Sequence, residues 1–95
     1  MRHLLKNGTI VTPKSQKMGS ILIKGSKIAK ILEHGEDLPP VSPEEIVDCT
    51  ECFILPGIID PHVHLRDFKQ SYKETIASGT RAAITNGITT VLLHL

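Results

Sequence analysis

The sequence is poor in aromatic residues. Phe53, Phe68 and Tyr72 are the only ones, and tryptophan is absent. With 95 residues and so few large rings, any core must be aliphatic and modest, because a short chain buries a small share of its surface. Cysteine is scarce too: Cys49 and Cys52 are too few for a disulfide-stapled secreted scaffold. No sign of charge dominates, since eleven basic and ten acidic side chains leave a formal charge of +1. That argues against nucleic acid or an anionic membrane surface as the main partner, because both need a concentrated basic face. Long apolar runs are also missing, and none approaches the roughly 18 residues of a membrane span. The opening MRHLLKNGTIV breaks its apolar stretch at Lys6-Asn7-Gly8, whereas a secretory signal needs about 7–15 uninterrupted apolar residues. The expectation is a cytoplasmic chain of one domain or less, with neither nucleic acid nor membrane as partner.

Strand signals fill the first half. HLLKNGTIV (3–11) has apolar flanks around Asn7-Gly8, and ILIKGSKIAKI (21–31) has them around Gly25-Ser26. Both pairs suit two-residue hairpin turns, where a positive φ must be tolerated. Two β-hairpins are therefore expected, joined by the polar stretch 12–19. In the second, Ile21, Ile23, Ile28 and Ile31 take the buried positions and Lys24, Lys27 and Lys30 the wet ones. The stretch 33–45 holds three prolines and five acidic residues and reads as a loop. Strand character returns at 46–57, with a turn near Cys49 to Cys52, and again at 58–65 after the Pro56-Gly57 break.

The remainder reads strand, helix, strand. Ser71 and Glu74 have the S-x-x-E spacing of a capping box. Tyr72, Ile76, Gly79 and Ala83 then fall on one helical face. Asn86-Gly87 supplies a left-handed terminator, and 88–95 is apolar and β-branched. Short links between these elements describe a βαβ unit of an α/β fold, normally with parallel strands and part of a larger sheet.

The densest chemistry is IDPHVHLRD (59–67). On an alternating strand, Asp60, His62, His64 and Arg66 share one face and Ile59, Pro61, Val63 and Leu65 the other. Imidazoles one residue apart have Cβ atoms about 7 Å apart and can lean onto one divalent ion at about 2.0–2.1 Å. Arg66 can grip a carboxylate with two parallel hydrogen bonds. Pro61 donates no ladder bond, so a strand end or a bulge is expected there. From the residues alone, a His-x-His pair on a strand is more often two solvent-facing or hydrogen-bonded imidazoles than a metal site. Cys49-x-x-Cys52 fits a structural turn, a redox pair or half of a zinc knuckle. A Cys2His2 zinc module is disfavoured because it wants three to five residues between its histidines.

LPGIIDPHVHLRD followed by YKETIASGTRAAITNGITTV resembles the start of the metal-dependent amidohydrolases, specifically the dihydroorotases. The likeness is dense from Leu55 to Val91 and looser before. It implies a small N-terminal β-sandwich part (1–54) followed by the first β-α-β unit (55–95) of a (β/α)8 barrel. It implies His62 and His64 as ligands of Zn2+, with one or two ions per complete site, and Asp60 as a supporting residue. Arg66 would bind the carboxylate of a small-molecule substrate, dihydroorotate or N-carbamoyl-L-aspartate. The implied activity is reversible hydrolysis of a cyclic amide in pyrimidine synthesis; homo-oligomerisation stays open.

The bridging lysine, two later histidines and the proton-shuttling aspartate that the family uses have no counterpart here. A barrel takes about 200 residues or more, so an incomplete barrel without turnover and with weak metal binding is expected of the isolated chain. The family's Met-Pro-Asn after T-T-V is replaced by L-L-H-L, which suggests a truncated or frame-shifted gene, or a piece of one. His94 belongs to that altered end. The rivals are a dihydropyrimidinase- or allantoinase-type cyclic amidohydrolase and a non-catalytic partner-binding module. Arg66 favours the dihydroorotase type, and the retained His62 and His64 disfavour a pure binding module.

Overall fold

Asn7 and Gly8 do not turn the chain. Arg2–Val11 form a single strand, β1, and Asn7 adopts a φ of 57° inside it. The register against the next strand, β2 (Gln16–Lys24), slips at that point: Leu5 faces Ile21 while Gly8 faces Gly19. Three steps on β1 match two on β2, which is a one-residue bulge. Asparagine tolerates the left-handed conformation better than other side chains. The reversal comes later, where the Thr12 N–H donates to the Ser15 carbonyl at 2.8 Å. The bulge also accounts for a buried hydroxyl. Ser20 is 2% exposed, and its Oγ accepts the Asn7 backbone N–H at 3.0 Å, which satisfies a donor displaced from the ladder.

The structure, a computed structural model, describes residues 1–65 and 75–93. It divides into two units, Met1–Leu55 and Pro56–Leu95. In the first, β2 pairs antiparallel with β3 (Lys27–Glu33) across Gly25, whose φ is 59°; this hairpin is as the sequence predicts. The stretch after β3 is irregular until a 3-10 turn at Pro43–Glu45. β4 (Ile46–Asp48) and β5 (Phe53–Ile54) then run parallel to β1 along its other edge, with Leu4 opposite Ile46 and Thr9 opposite Phe53. The result is one five-stranded mixed sheet, ordered β3-β2-β1-β4 with β5 also on β1. Among the described residues, a single sheet thus stands where a small sandwich was expected.

The core of this sheet is Leu4, Leu22 and Leu32, with Val41 and Ile46 packed against it. Leu4 and Leu32 are each 1% exposed. This corrects the predicted buried set. Ile21 is buried, but Ile28 and Ile31 are 64% and 59% exposed. Ile31 lies opposite Ile21 and Ile28 opposite Ile23, so the four isoleucines do share a face. β3 is the outer strand, however, and the loop carrying Val41 covers the leucine face instead.

In the second unit, β6 (Ile58–Val63) and β7 (Ile88–Leu93) pair in parallel, with α1 (Ile76–Thr85) between them in the chain. This is the predicted βαβ unit. Thr75 is the N-cap of its helix. The extended Thr75 accepts the Ser78 N–H on its Oγ1 at 3.0 Å, and the Ser78 Oγ accepts the Thr75 N–H at 2.9 Å. A serine at the third helical position replaces the usual Glu or Gln of such a box. Ser71, Tyr72 and Glu74 lie outside the described residues. Gly87, with a φ of 87°, ends the helix region, and its carbonyl accepts the Ile58 N–H at 2.9 Å. Gly79 is the buried residue of the helix. No helix among the described residues is long and apolar enough to cross a membrane.

Candidate metal centre

Two register slips shape β6. Ile58 faces Ile88 but Ile59 faces Thr90, and Asp60 faces Val91 while Val63 faces Leu93. The second slip gives β6 one residue more than β7 between Asp60 and Val63, which is a bulge at Pro61-His62. Proline cannot donate to a ladder, so a bulge is where a strand can hold it. The slip also corrects the simple alternation. Val91 and Leu93 are two apart on β7, so Asp60 and Val63 sit on the same side of the sheet. Strict alternation would have put them on opposite sides.

The two imidazoles nevertheless converge. His62 lies in β6 and His64 just beyond its end. Their Nε2 atoms are 3.0 Å apart. The ring centroids are 4.9 Å apart, with the planes at 71°. Both residues are exposed. Asp60 is turned to the local backbone, its Oδ1 accepting the His62 N–H at 3.2 Å. That bond fixes the chain where the bulge would otherwise loosen it.

This spacing suits a shared ion. Two nitrogens bound at about 2.0–2.1 Å to a tetrahedral zinc lie roughly 3.3 Å apart, so the pair needs to open only slightly. Among the described residues, no group of three or more His, Cys, Asp or Glu side chains could hold a metal. A catalytic zinc usually takes three protein ligands, so two imidazoles alone do not complete such a site. The predicted carboxylate-binding Arg66, and His94, lie outside the described residues.

Residues 53–94 match the model of the amidohydrolase family. Over 95 residues it is 41% identical to the dihydroorotase of Aquifex aeolicus (strain VF5), covering 97% of this chain and 21% of that protein. Over 76 residues it is 55% identical to the dihydroorotase of Pyrococcus horikoshii, covering 77% and 16%. Among solved structures, a D-hydantoinase superposes with a TM-score of 0.79 at 38% identity, over 98% of this chain and 20% of that one. The chain spans about a fifth of the length of the curated relatives it matches. The matched residues 53–94 include β6, α1 and β7, and with them both histidines.

Proposed function

We propose that the chain contributes the first zinc ligands of a dihydroorotase-like cyclic amidohydrolase that interconverts N-carbamoyl-L-aspartate and dihydroorotate in the cytoplasm. The observation that carries this reading is the approach of the two Nε2 atoms to 3.0 Å inside a segment so similar to dihydroorotases. In this reading residues 1–54 are a β-rich N-terminal part and residues 55–95 begin a (β/α)8 barrel. Bound zinc supplies Lewis acidity and a water that ionises near neutral pH.

The chain's own residues hold and orient. His62 and His64 present Nε2 to the ion. Asp60 acts on His62 through the backbone and is a positioning residue. Arg66 pairs with the substrate carboxylate in a two-bonded grip that fixes its orientation. The remaining ligands and the proton-transfer group belong to the four-fifths of the relatives' length that this chain does not match. A second reading, a hydantoinase-type enzyme acting on an uncharged cyclic amide, draws support from the TM-score of 0.79 to a D-hydantoinase.

Replacing the matched segment of the Aquifex aeolicus dihydroorotase with this chain tests both. The chimera is expected to hydrolyse dihydroorotate. His62→Ala or His64→Ala is expected to lower kcat/KM by more than about 100-fold, beyond the usual effect of changes outside the ligand shell. Arg66→Gln is expected to raise KM for dihydroorotate and leave hydantoin turnover unchanged. A chimera folded by circular dichroism whose zinc affinity survives both alanine variants would refute the ligand assignment. A preference for hydantoin in the unsubstituted chimera would favour the second reading.

A further inference from the structure

Cys49 and Cys52 frame the turn between β4 and β5. Asp48 lies opposite Lys6 and Phe53 opposite Thr9, so five steps of this segment run beside three of β1 and the surplus bulges outward. Backbone bonds pin the turn at both ends. The Cys49 N–H donates to the Lys6 carbonyl at 2.8 Å, and the Thr9 N–H donates to the Cys52 carbonyl at 2.9 Å. The Cys52 N–H donates to the Cys49 carbonyl at 2.9 Å and closes a four-residue β-turn. Such a turn holds its first and fourth Cα atoms within about 7 Å. A disulfide joins Cα atoms about 4.4–6.8 Å apart.

Both thiols are free, and their surroundings differ: Cys49 is buried and Cys52 exposed. The Cys49 Sγ donates to the Val47 carbonyl at 3.6 Å. A methyl on Gly8 would come within 2.9 Å of the Cys49 Cβ, so β1 backs the buried thiol. Burial pushes the Cys49 thiol up from its ordinary pKa, and the neighbouring Cys52 and Asp48 charges push it further. Nothing in the proposed hydrolase chemistry uses either residue.

We propose that Cys49 and Cys52 form a reversible dithiol–disulfide site that takes a low-molecular-weight disulfide, such as oxidised glutathione, as its oxidant. The exposed Cys52 loses its proton, and its thiolate attacks one glutathione sulfur. A Cys52–glutathione bond forms and the other glutathione leaves as thiolate. Cys49 then loses its proton and attacks the Cys52 sulfur, and the second glutathione leaves as thiolate. The chain gives up two electrons and two protons; the glutathione disulfide accepts them and becomes two thiols. Access sets the order, because the reactive thiol is the one that solvent and oxidant can reach.

The test uses the 95-residue chain with excess oxidised glutathione, quenched in acid at intervals and read by intact mass and peptide mapping. The expected end product is a monomer that has lost two hydrogens, retains no glutathione and is cross-linked between Cys49 and Cys52. Early samples should carry glutathione on Cys52, and Cys49→Ser should stop at that adduct. Excess reduced glutathione should restore both thiols. Wild-type chain that stops at the Cys52 adduct, keeps both thiols free or cross-links between two chains would overturn the proposal. These wild-type readouts do not depend on the folding of the variant.

Discussion

Asp48 shows how one side chain can hold its own charge state. Its Oδ1 accepts the Thr50 hydroxyl at 2.6 Å and the Thr50 backbone N–H at 3.0 Å. These two bonds, the hydroxyl first, hold its pKa below the ordinary 3.8 against a smaller opposing effect of desolvation, and Lys6 adds a minor attraction. A depressed carboxylate stabilises the fold fully above its ordinary pKa, and that contribution is lost as pH falls through the depressed value. Thr50→Val removes the stronger bond, so the Asp48 pKa should rise toward 3.8 in a carbon-detected NMR titration. A pKa unmoved by the substitution would show that the hydroxyl does not hold the charge. At this scale the sequence was only partly legible. Asn7-Gly8 signals a positive φ, but a tight turn and a bulge need it equally. Pairing between Leu5 and Ile21 settles the matter, and that contact is remote in sequence. Thr75 escaped notice because its partner is Ser78, not an acidic side chain.

At the scale of elements, the link between β6 and β7 depends on a small residue. A Cβ on Gly57 would overlap the Thr89 side chain, including Thr89 Cβ. Thr89 also sits at the register slip between Ile58 and Ile59. Gly57→Ala should therefore destabilise the βαβ unit by about 1–3 kcal/mol, the range for forced overpacking, in urea denaturation followed by far-UV circular dichroism. Thr89→Ala in the same background should recover part of the loss, because it removes the two nearest atoms. Additive effects of the two substitutions would contradict that contact. The βαβ order was legible because helix and strand periodicities differ and Gly87 marks the change. The bulge at Pro61 was foreseeable, since proline must leave the ladder. Its effect on side-chain direction was not, because a one-residue slip is decided by the partner strand. His62 and His64 converge even so, with their Nε2 atoms 3.0 Å apart, although the slip between Asp60 and Val63 spans His62.

At the scale of the molecule, the two units are unequally built. Met1–Leu55 has a leucine core, whereas among the described residues of Pro56–Leu95 only Gly79 is buried. Ile58, Ile59 and Leu92 stay largely exposed. Local stability follows buried apolar contact, so amides of β1 and β2 should exchange with solvent about 100-fold or more slowly than those of β6 and β7. Hydrogen exchange read by mass spectrometry checks this, and equal protection would contradict the division. The sheet order was the least legible feature. Nothing local announces that β4 and β5 join β1 on the edge opposite β2, because such parallel pairings are fixed by contacts some forty residues apart. That arrangement bears on synthesis. On the ribosome, β1 acquires its β2 neighbour early, but its other side stays open until Ile54 emerges. At about 5–20 residues per second, the nascent chain carries that unpaired flank for one to a few seconds, with Pro39, Pro40 and Pro43 passing through the exit in the interval.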